Sequence, residues 1–512
     1  MIVKRLLILI ILLFISVACS SAQPIEEDGV EVVETEIEEM EEETAVSSTN
    51  IPESTPTNVP SSISDEDATS LMNALAFSSD EEALEALTVI VDANDQRFIP
   101  VLIELFRAAQ VGIVRSLQLD EYVLALESLS GQDIGPSWGG WIEWYGGTDI
   151  VPPDGFVTWK GRILSLIDVN FGEFLQDSYP STIRVEEIAW GGVVVDGIPA
   201  LDNPTMLAAA DADYLEPWDA VFGIELNGDA RAYPLRILDW HEMANDVVGG
   251  VPVSLAYCTL CGAAIAYNGR LSDDVTFTFG SSGFLYRSNK LMYDRQTRTL
   301  WNQLTGKPVL GNLVDDNITL DLLPVVLTTW DEWQLQHPDT VVVDVDTGFG
   351  RQYEPGAAYA GYFAAEDTMF PVWQRSDARA TKDQIYALNL NDTPKAYPLD
   401  LLTEAGVTND TLADVPLVLV ASRGIVTVDG ISRRSGPARY SAGAEVRVYN
   451  RGDHTFSPSD APDTVVDEAG NVWTVTEEAL ISPNGETAER INGHLAYWFG
   501  WFAFYPETLL HE

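Results

Sequence analysis

The sequence predicts an α+β protein: two tandem, related β-rich modules preceded by a small α-helical domain. Three observations predict it. Short apolar runs between Gly, Asn, Asp and Pro, such as Val221–Leu226 and Val253–Ala256, have the length and punctuation of strands. Apolar residues before about Tyr145 instead recur at three- and four-residue spacing, as in Leu84, Leu87, Ile90 and Val91. The strand-rich part also repeats itself. Tyr233–Pro234–Leu235 returns as Tyr397–Pro398–Leu399, Asn245–Asp246 as Asn409–Asp410, and Pro252 as Pro416, at a constant offset of 164. The repeats end alike too: Trp330, Trp333, Pro338 and Thr340 match Trp498, Trp501, Pro506 and Thr508 at an offset of 168, with His337 opposite Tyr505.

In chain order, residues 1–22 pair Lys4 and Arg5 with an apolar run from Leu6 to Val17, too short to span a membrane comfortably and shaped like an export signal. The segment resembles a bacterial lipoprotein signal, which implies acylation of Cys19 and anchoring to the outer face of the cell membrane. Ordinary signal cleavage near Ala22 is the alternative. Residues 23–69 form an acidic tether, with eleven acidic residues and no basic one between 26 and 44. A helical domain over 70–150 follows, its start marked by Ser79–Asp80–Glu81–Glu82, and its short helices resemble a HEAT-type pair. Residues 151–215 connect it, with a helical run near Ile163–Leu175, to the first module at 216–384. There a short helix is expected over Leu235–Met243, a turn at Asn245–Asp246, and hairpin turns at Gly280 and Gly283. The second module fills 385–512.

The net charge of −51 and the six lysines argue against nucleic acid as a partner, because phosphate binding needs a basic face. The partners left open are the membrane, through Cys19, and a protein or small molecule of unknown identity.

The chemistry gathers where the two modules differ. His241 falls opposite Ala405, Glu242 opposite Gly406, Cys258 opposite Ser422 and Cys261 opposite Ile425. Cys258–Thr259–Leu260–Cys261–Gly262 lies between two apolar runs. Its two-residue gap lets both sulfurs face one centre, as in a metal knuckle, and the glycine permits the turn. With a single knuckle, the other ligands must be His or oxygen: His241 leads, and His337, Met292 or Asp294 supplies a fourth ligand unless that position is open. Sulfur and imidazole in an exported protein favour copper or zinc over iron. Glu242, beside His241, is a candidate to orient a metal ligand or to act as a general base, or else a solvent-facing residue of the helix. In an oxidising compartment, a dithiol redox couple and a structural disulfide remain open for the same pair. Covalent haem is not expected, since Gly262 stands where a His would follow the second Cys. The phosphate-loop spacing of a nucleotide site is missing. Ser281 and Ser282 lack the glycine spacing of a hydrolase elbow. No nucleophile–base pair supports a hydrolase, so whether the protein is an enzyme is left open by the sequence.

Tyr-Pro-Leu at 233–235, Trp-His-Glu at 240–242, Tyr-Cys-Thr-Leu-Cys-Gly at 257–262 and Phe-Gly-Ser-Ser-Gly-Phe-Leu-Tyr at 279–286 stand in this order. They are followed by Met-Tyr-Asp-Arg-Gln-Thr at 292–297, Leu-Trp-Asn-Gln at 300–303 and a Trp-x-x-Trp…His-Pro ending at 330–338. Together they resemble the bacterial and archaeal family of domain of unknown function 3179 over about residues 185–385. Thr259 stands where that family more often has Pro. The resemblance implies exported or lipid-anchored proteins and supplies no reaction.

Overall fold

The computed structural model describes residues 63–114, 117–272 and 275–512. The expectations for the signal segment, for Cys19 and for the tether up to residue 62 lie outside the described residues. Helices and strands are both abundant, so the chain is α+β.

The expected helices form at Asp65–Phe77, Asp80–Ala93, Ile99–Gln110, Leu119–Ser130 and Trp138–Gly146. Ser79 starts the second of them with a reciprocal capping box to Glu82, which satisfies backbone donors that a first helical turn leaves free. Met72, Leu87, Ile90, Leu102, Phe106, Leu126 and Trp141 share one apolar cluster, while Leu84 lies on the exposed face. The helical run expected near Ile163–Leu175 is broken into Phe156–Leu164 and Phe171–Phe174. At Gly161 and Gly172 the chain folds too tightly on itself for a Cβ.

Two sheets have the same plan. In the first, strand order runs Val326–Thr329, Ala220–Leu226, Asp229–Pro234, Val341–Val343, Met206–Ala208. In the second it runs His494–Tyr497, Gln384–Leu390, Thr393–Pro398, Leu509–Leu510. Both have two antiparallel junctions followed by a parallel one. A proline caps the next helix in each, Leu235–His241 and Leu399–Ala405. Proline suits this place because its fixed φ and missing N–H cost a first turn nothing. An antiparallel hairpin follows in matching register, with Met243 opposite Ala256 and Val407 opposite Val420.

Paired residues also make paired bonds. Tyr233 and Tyr397 each donate to an aspartate, Asp246 or Asp410, at 2.7 Å. The amide of Asn245 clamps Phe279 through its N–H and C=O, and that of Asn409 clamps Phe456 likewise. Trp333 and Trp501 each donate at 2.8 Å to a threonine, Thr340 or Thr508.

Several local expectations are corrected. Asn245–Asp246 is not a turn but part of the strand Met243–Val248, where Asp246 also pairs with Arg231 at 2.8 Å. Gly280 and Gly283 lie inside the strand Phe279–Tyr286, whose register shifts between Ser281 and Phe284; Gly283 has φ +79°. The helix expected to reach Met243 stops at His241, because Glu242 turns into the left-handed region. After Val420 the constant offset fails. Ile425–Ser432 and Gly436–Ala444 form a separate two-stranded ribbon, and Arg447–Asn450 takes the sheet place that Ala263–Asn268 holds in the first module. Cys261 therefore has no true counterpart at Ile425.

Candidate functional site: a buried dithiol at a hairpin turn

Strand Val251–Cys258 and strand Ala263–Asn268 are joined by the turn that carries the cysteines, with Cys258 paired to Ala263 across it. Gly262 has φ +59°, a conformation that favours glycine, and the ring of Tyr497 lies 3.1 Å from where its Cβ would stand. Both cysteines are free and buried, at 1% and 0% exposure.

The two thiols differ in kind. Burial pushes the Cys258 thiol up, but the thiol of Cys261 and the backbone N–H groups of Lys290 and Cys261 hydrogen-bond to it, and its pKa ends below that of an ordinary thiol. Burial pushes Cys261 well up, and its bond to Cys258 pushes it further. Cys261 Sγ also lies 3.4 Å from Ser288 O and accepts from Asn289 Nδ2 at 3.5 Å. Of the two, Cys258 is the thiol that loses its proton more readily.

Glu242 organises this turn. It ends the Leu235–His241 helix at φ +53°, a left-handed conformation unusual for glutamate. The same place in the second module is held by Gly406 at φ +70°. The carboxylate accepts from Thr259 Oγ1, between the two cysteines, at 3.0 Å. It pairs with Lys290 Nζ at 3.1 Å and accepts from Tyr359 at 3.4 Å. Lys290 returns to the Glu242 carbonyl at 3.2 Å. This buried ion pair ties the helix end to the strand Asn289–Asp294, whose backbone feeds Cys258. Glu242 is therefore not a solvent-facing residue.

The remaining candidates stand elsewhere. His241 Nδ1 lies 2.8 Å from Pro199 O and must donate to it, so Nε2 accepts from Tyr353 at 2.6 Å. Burial lowers the His241 pKa to about 4, which keeps the ring neutral. Met292 is buried in an apolar cluster with Trp301 and Phe279. Asp294 closes its own hairpin, accepting from Thr297 and from Trp301 Nε1 at 2.9 Å. Asp467 repeats this with Trp473 at 3.0 Å. His337 packs against Trp333 in a tilted arrangement, with ring centres 4.0 Å apart. Among the described residues no three His, Cys, Asp or Glu side chains gather as metal ligands would. The two sulfurs come together; His241, His337, Met292 and Asp294 do not join them.

Sequence reasoning missed several residues. Lys290 carried a signal, a lysine inside the apolar strand Asn289–Asp294. Asp239 is 3% exposed, and neither carboxyl oxygen has a hydrogen-bond partner. Burial and then Glu242 push its pKa well above the carboxylate range. Tyr359, Tyr362, Tyr440 and Tyr497 come from distant segments, and nothing local marks them. Tyr362 donates to Leu260 O, inside the turn, at 2.6 Å, and Tyr497 N–H donates to Cys261 O at 2.7 Å. Gly500 stands so close that a Cβ there would lie 3.3 Å from Cys261 Sγ. Residues near the C-terminal end, Tyr497 and Gly500, thus pack directly on the cysteine turn.

Fold and site together define an α+β protein with two sheets of one strand plan and a buried vicinal dithiol at a hairpin turn. The chain belongs to the family described as protein of unknown function (DUF3179), matched over residues 195–508. The match continues through the second module, beyond the 185–385 span of the resemblance seen in the sequence. No curated protein and no solved structure matches the chain.

Proposed function

We propose that this is an exported, lipid-anchored accessory protein whose centre is a dithiol–disulfide redox couple formed by Cys258 and Cys261. In this reading the two modules arose by internal duplication, and only the first kept the chemistry. The observation that carries it is the inequivalence of the two thiols. Cys258 accepts from the Cys261 thiol and from two backbone N–H groups, which lower its pKa, while burial raises that of Cys261. The thiolate is the attacking species in thiol–disulfide exchange.

The step balances without a cofactor. The Cys258 thiolate attacks one sulfur of a partner disulfide, forming a mixed disulfide and releasing one partner thiolate. Cys261 gives its proton to that thiolate. Its sulfur then attacks Cys258 Sγ, closing the Cys258–Cys261 bond and releasing the second partner thiolate. The partner gains two electrons and the dithiol loses two. Glu242 and Lys290 are positioning residues here: they fix the turn and the backbone N–H that serves Cys258.

The test is incubation of the chain from residue 63, which keeps the helix Asp65–Phe77 whole, in glutathione buffers of graded potential, with thiols counted by mass. A reversible two-electron transition, lost in Cys258→Ser and in Cys261→Ser, is expected. Thiols that no buffer oxidises would overturn the reading. Two other readings meet the same experiment. The burial of both sulfurs favours a structural disulfide in a binding module, which would show a pair oxidised throughout. Two sulfurs without a third ligand suit soft copper(I) better than zinc, and stoichiometric metal in protein purified without chelator would indicate that site. Metabolic labelling with a fatty acid, absent in Cys19→Ser, tests the anchor.

A further inference from the structure

The dithiol is buried, and a partner disulfide has to reach Cys258. Tyr497, Phe499 and Gly500 cover one side of the dithiol. Another part of the cover comes from the chain between the strand Val341–Val343 and the strand Gln384–Leu390, whose only helix is Ala360–Ala364 and whose Tyr362 packs against the cysteines.

We propose that residues 347–365 form a lid over the dithiol, latched by tyrosine hydroxyls and a lysine, that opens to admit the partner disulfide. The proposal rests on the redox reading of Cys258 and Cys261. Two tyrosines of this stretch bond to residues around the sulfurs, and a third bonds to His241, on the helix that Glu242 ends. Tyr353 donates to His241 Nε2 at 2.6 Å, Tyr359 to Glu242 at 3.4 Å and Tyr362 to Leu260 O at 2.6 Å. Lys382 closes the far end. Its amine donates to Tyr362 O, and to Ala365 O at 3.0 Å, and sits 3.4 Å from the centre of the Tyr362 ring.

Few backbone bonds hold the stretch to the sheets. Its N–H groups bond mainly within it, as Ala357 to Glu354 O, Ala360 to Gly356 O and Phe363 to Tyr359 O. Two contacts from outside are Ile431 N–H to Pro355 O at 2.9 Å and Trp240 Nε1 to Gln352 O at 2.7 Å. The first comes from the separate ribbon Ile425–Ala444, on which Phe363 also packs through Tyr440 at 4.9 Å. Gly348, at φ +80°, and Gly350 have open space where a Cβ would stand, which suits a hinge. Beyond the lid the chain is fixed again. Trp373 donates to Glu187, and Val372 N–H and Arg375 bond to Glu143 of the Trp138–Gly146 helix. The N-terminal helices thereby anchor the lid's return.

Alkylation of the native protein by iodoacetamide, followed by mass, reads the opening directly. Loss of two short hydrogen bonds in the Tyr353→Phe/Tyr362→Phe variant is expected to raise the labelling rate of Cys258 about tenfold, because local opening is set by such contacts. In the wild type, amides of 347–365 are expected to exchange faster than those of Val251–Cys258 and Ala263–Asn268. Equal labelling in variant and wild type, or exchange in 347–365 as slow as in those strands, would overturn the lid. If the variant fails to fold, the wild-type exchange decides alone. Faster labelling in a variant whose thiols oxidised glutathione still cannot oxidise supports the lid and overturns the redox reading instead.

Discussion

Replacing Glu242 by glycine sets two structural effects against each other. Glutamate at φ +53° carries a left-handed conformation that costs about 1 kcal/mol more than glycine would pay there. On this count Glu242→Gly should stabilise the fold, and the second module already has Gly406 at that place. The same change removes the partner of Lys290, whose side chain is 4% exposed, and the acceptor of Thr259 Oγ1. Breaking a buried ion pair from one side costs about 3–5 kcal/mol. The pair should win, leaving Glu242→Gly less stable by about 2–4 kcal/mol after the conformational relief. Urea unfolding of wild type, Glu242→Gly, Lys290→Met and the double variant measures it as a cycle. The double variant should fall well short of the sum of the single losses, with a coupling of about 1–3 kcal/mol. A Glu242→Gly protein as stable as the wild type, or strict additivity in the cycle, would refute the reasoning and leave the strained glutamate without a structural purpose.

Other consequences can be checked separately. Ultraviolet thiolate absorbance of reduced protein should show one thiol titrating below the ordinary thiol range and the other above it; Cys258→Ser should remove the first. His241 has a folded pKa of about 4, below that of an unfolded histidine, so its contribution to stability is present above about pH 6.5 and is lost as pH falls toward 4. Wild type should therefore lose stability relative to His241→Asn by about 1.4 kcal/mol per pH unit across that window, measured by urea unfolding at each pH. A methyl at Gly500 would stand 3.1 Å from Cys261 Cβ, so Gly500→Ala should lower the thermal midpoint and shift the redox transition of a site on the other module.

The sequence by itself determined the α+β class and the family membership. It could do so because these are written locally: strand runs between turn residues, a helix start at Ser79–Asp80–Glu81–Glu82, and a Cys-x-x-Cys-Gly motif between two apolar runs. The offset of 164 also identified residues that make matching contacts or turns, Tyr233 with Tyr397, Asn245 with Asn409, Asp246 with Asp410 and Glu242 with Gly406, since two stretches of like strand plan place such residues at the same register. It failed beyond Val420, where a ribbon is inserted and no local pattern says which strand resumes the sheet. Only tertiary structure decided what the chemistry touches. Both nitrogens of His241 are spent on Pro199 and Tyr353, residues 42 and 112 positions away. The partners of the sulfurs include backbone N–H groups, that of Lys290 among them, and the side-chain amide of Asn289, from a strand that pairs elsewhere. Whether a buried side chain is a ligand, a clamp or a cover depends on direction and distance in the packed interior. A residue's type and spacing do not contain that information.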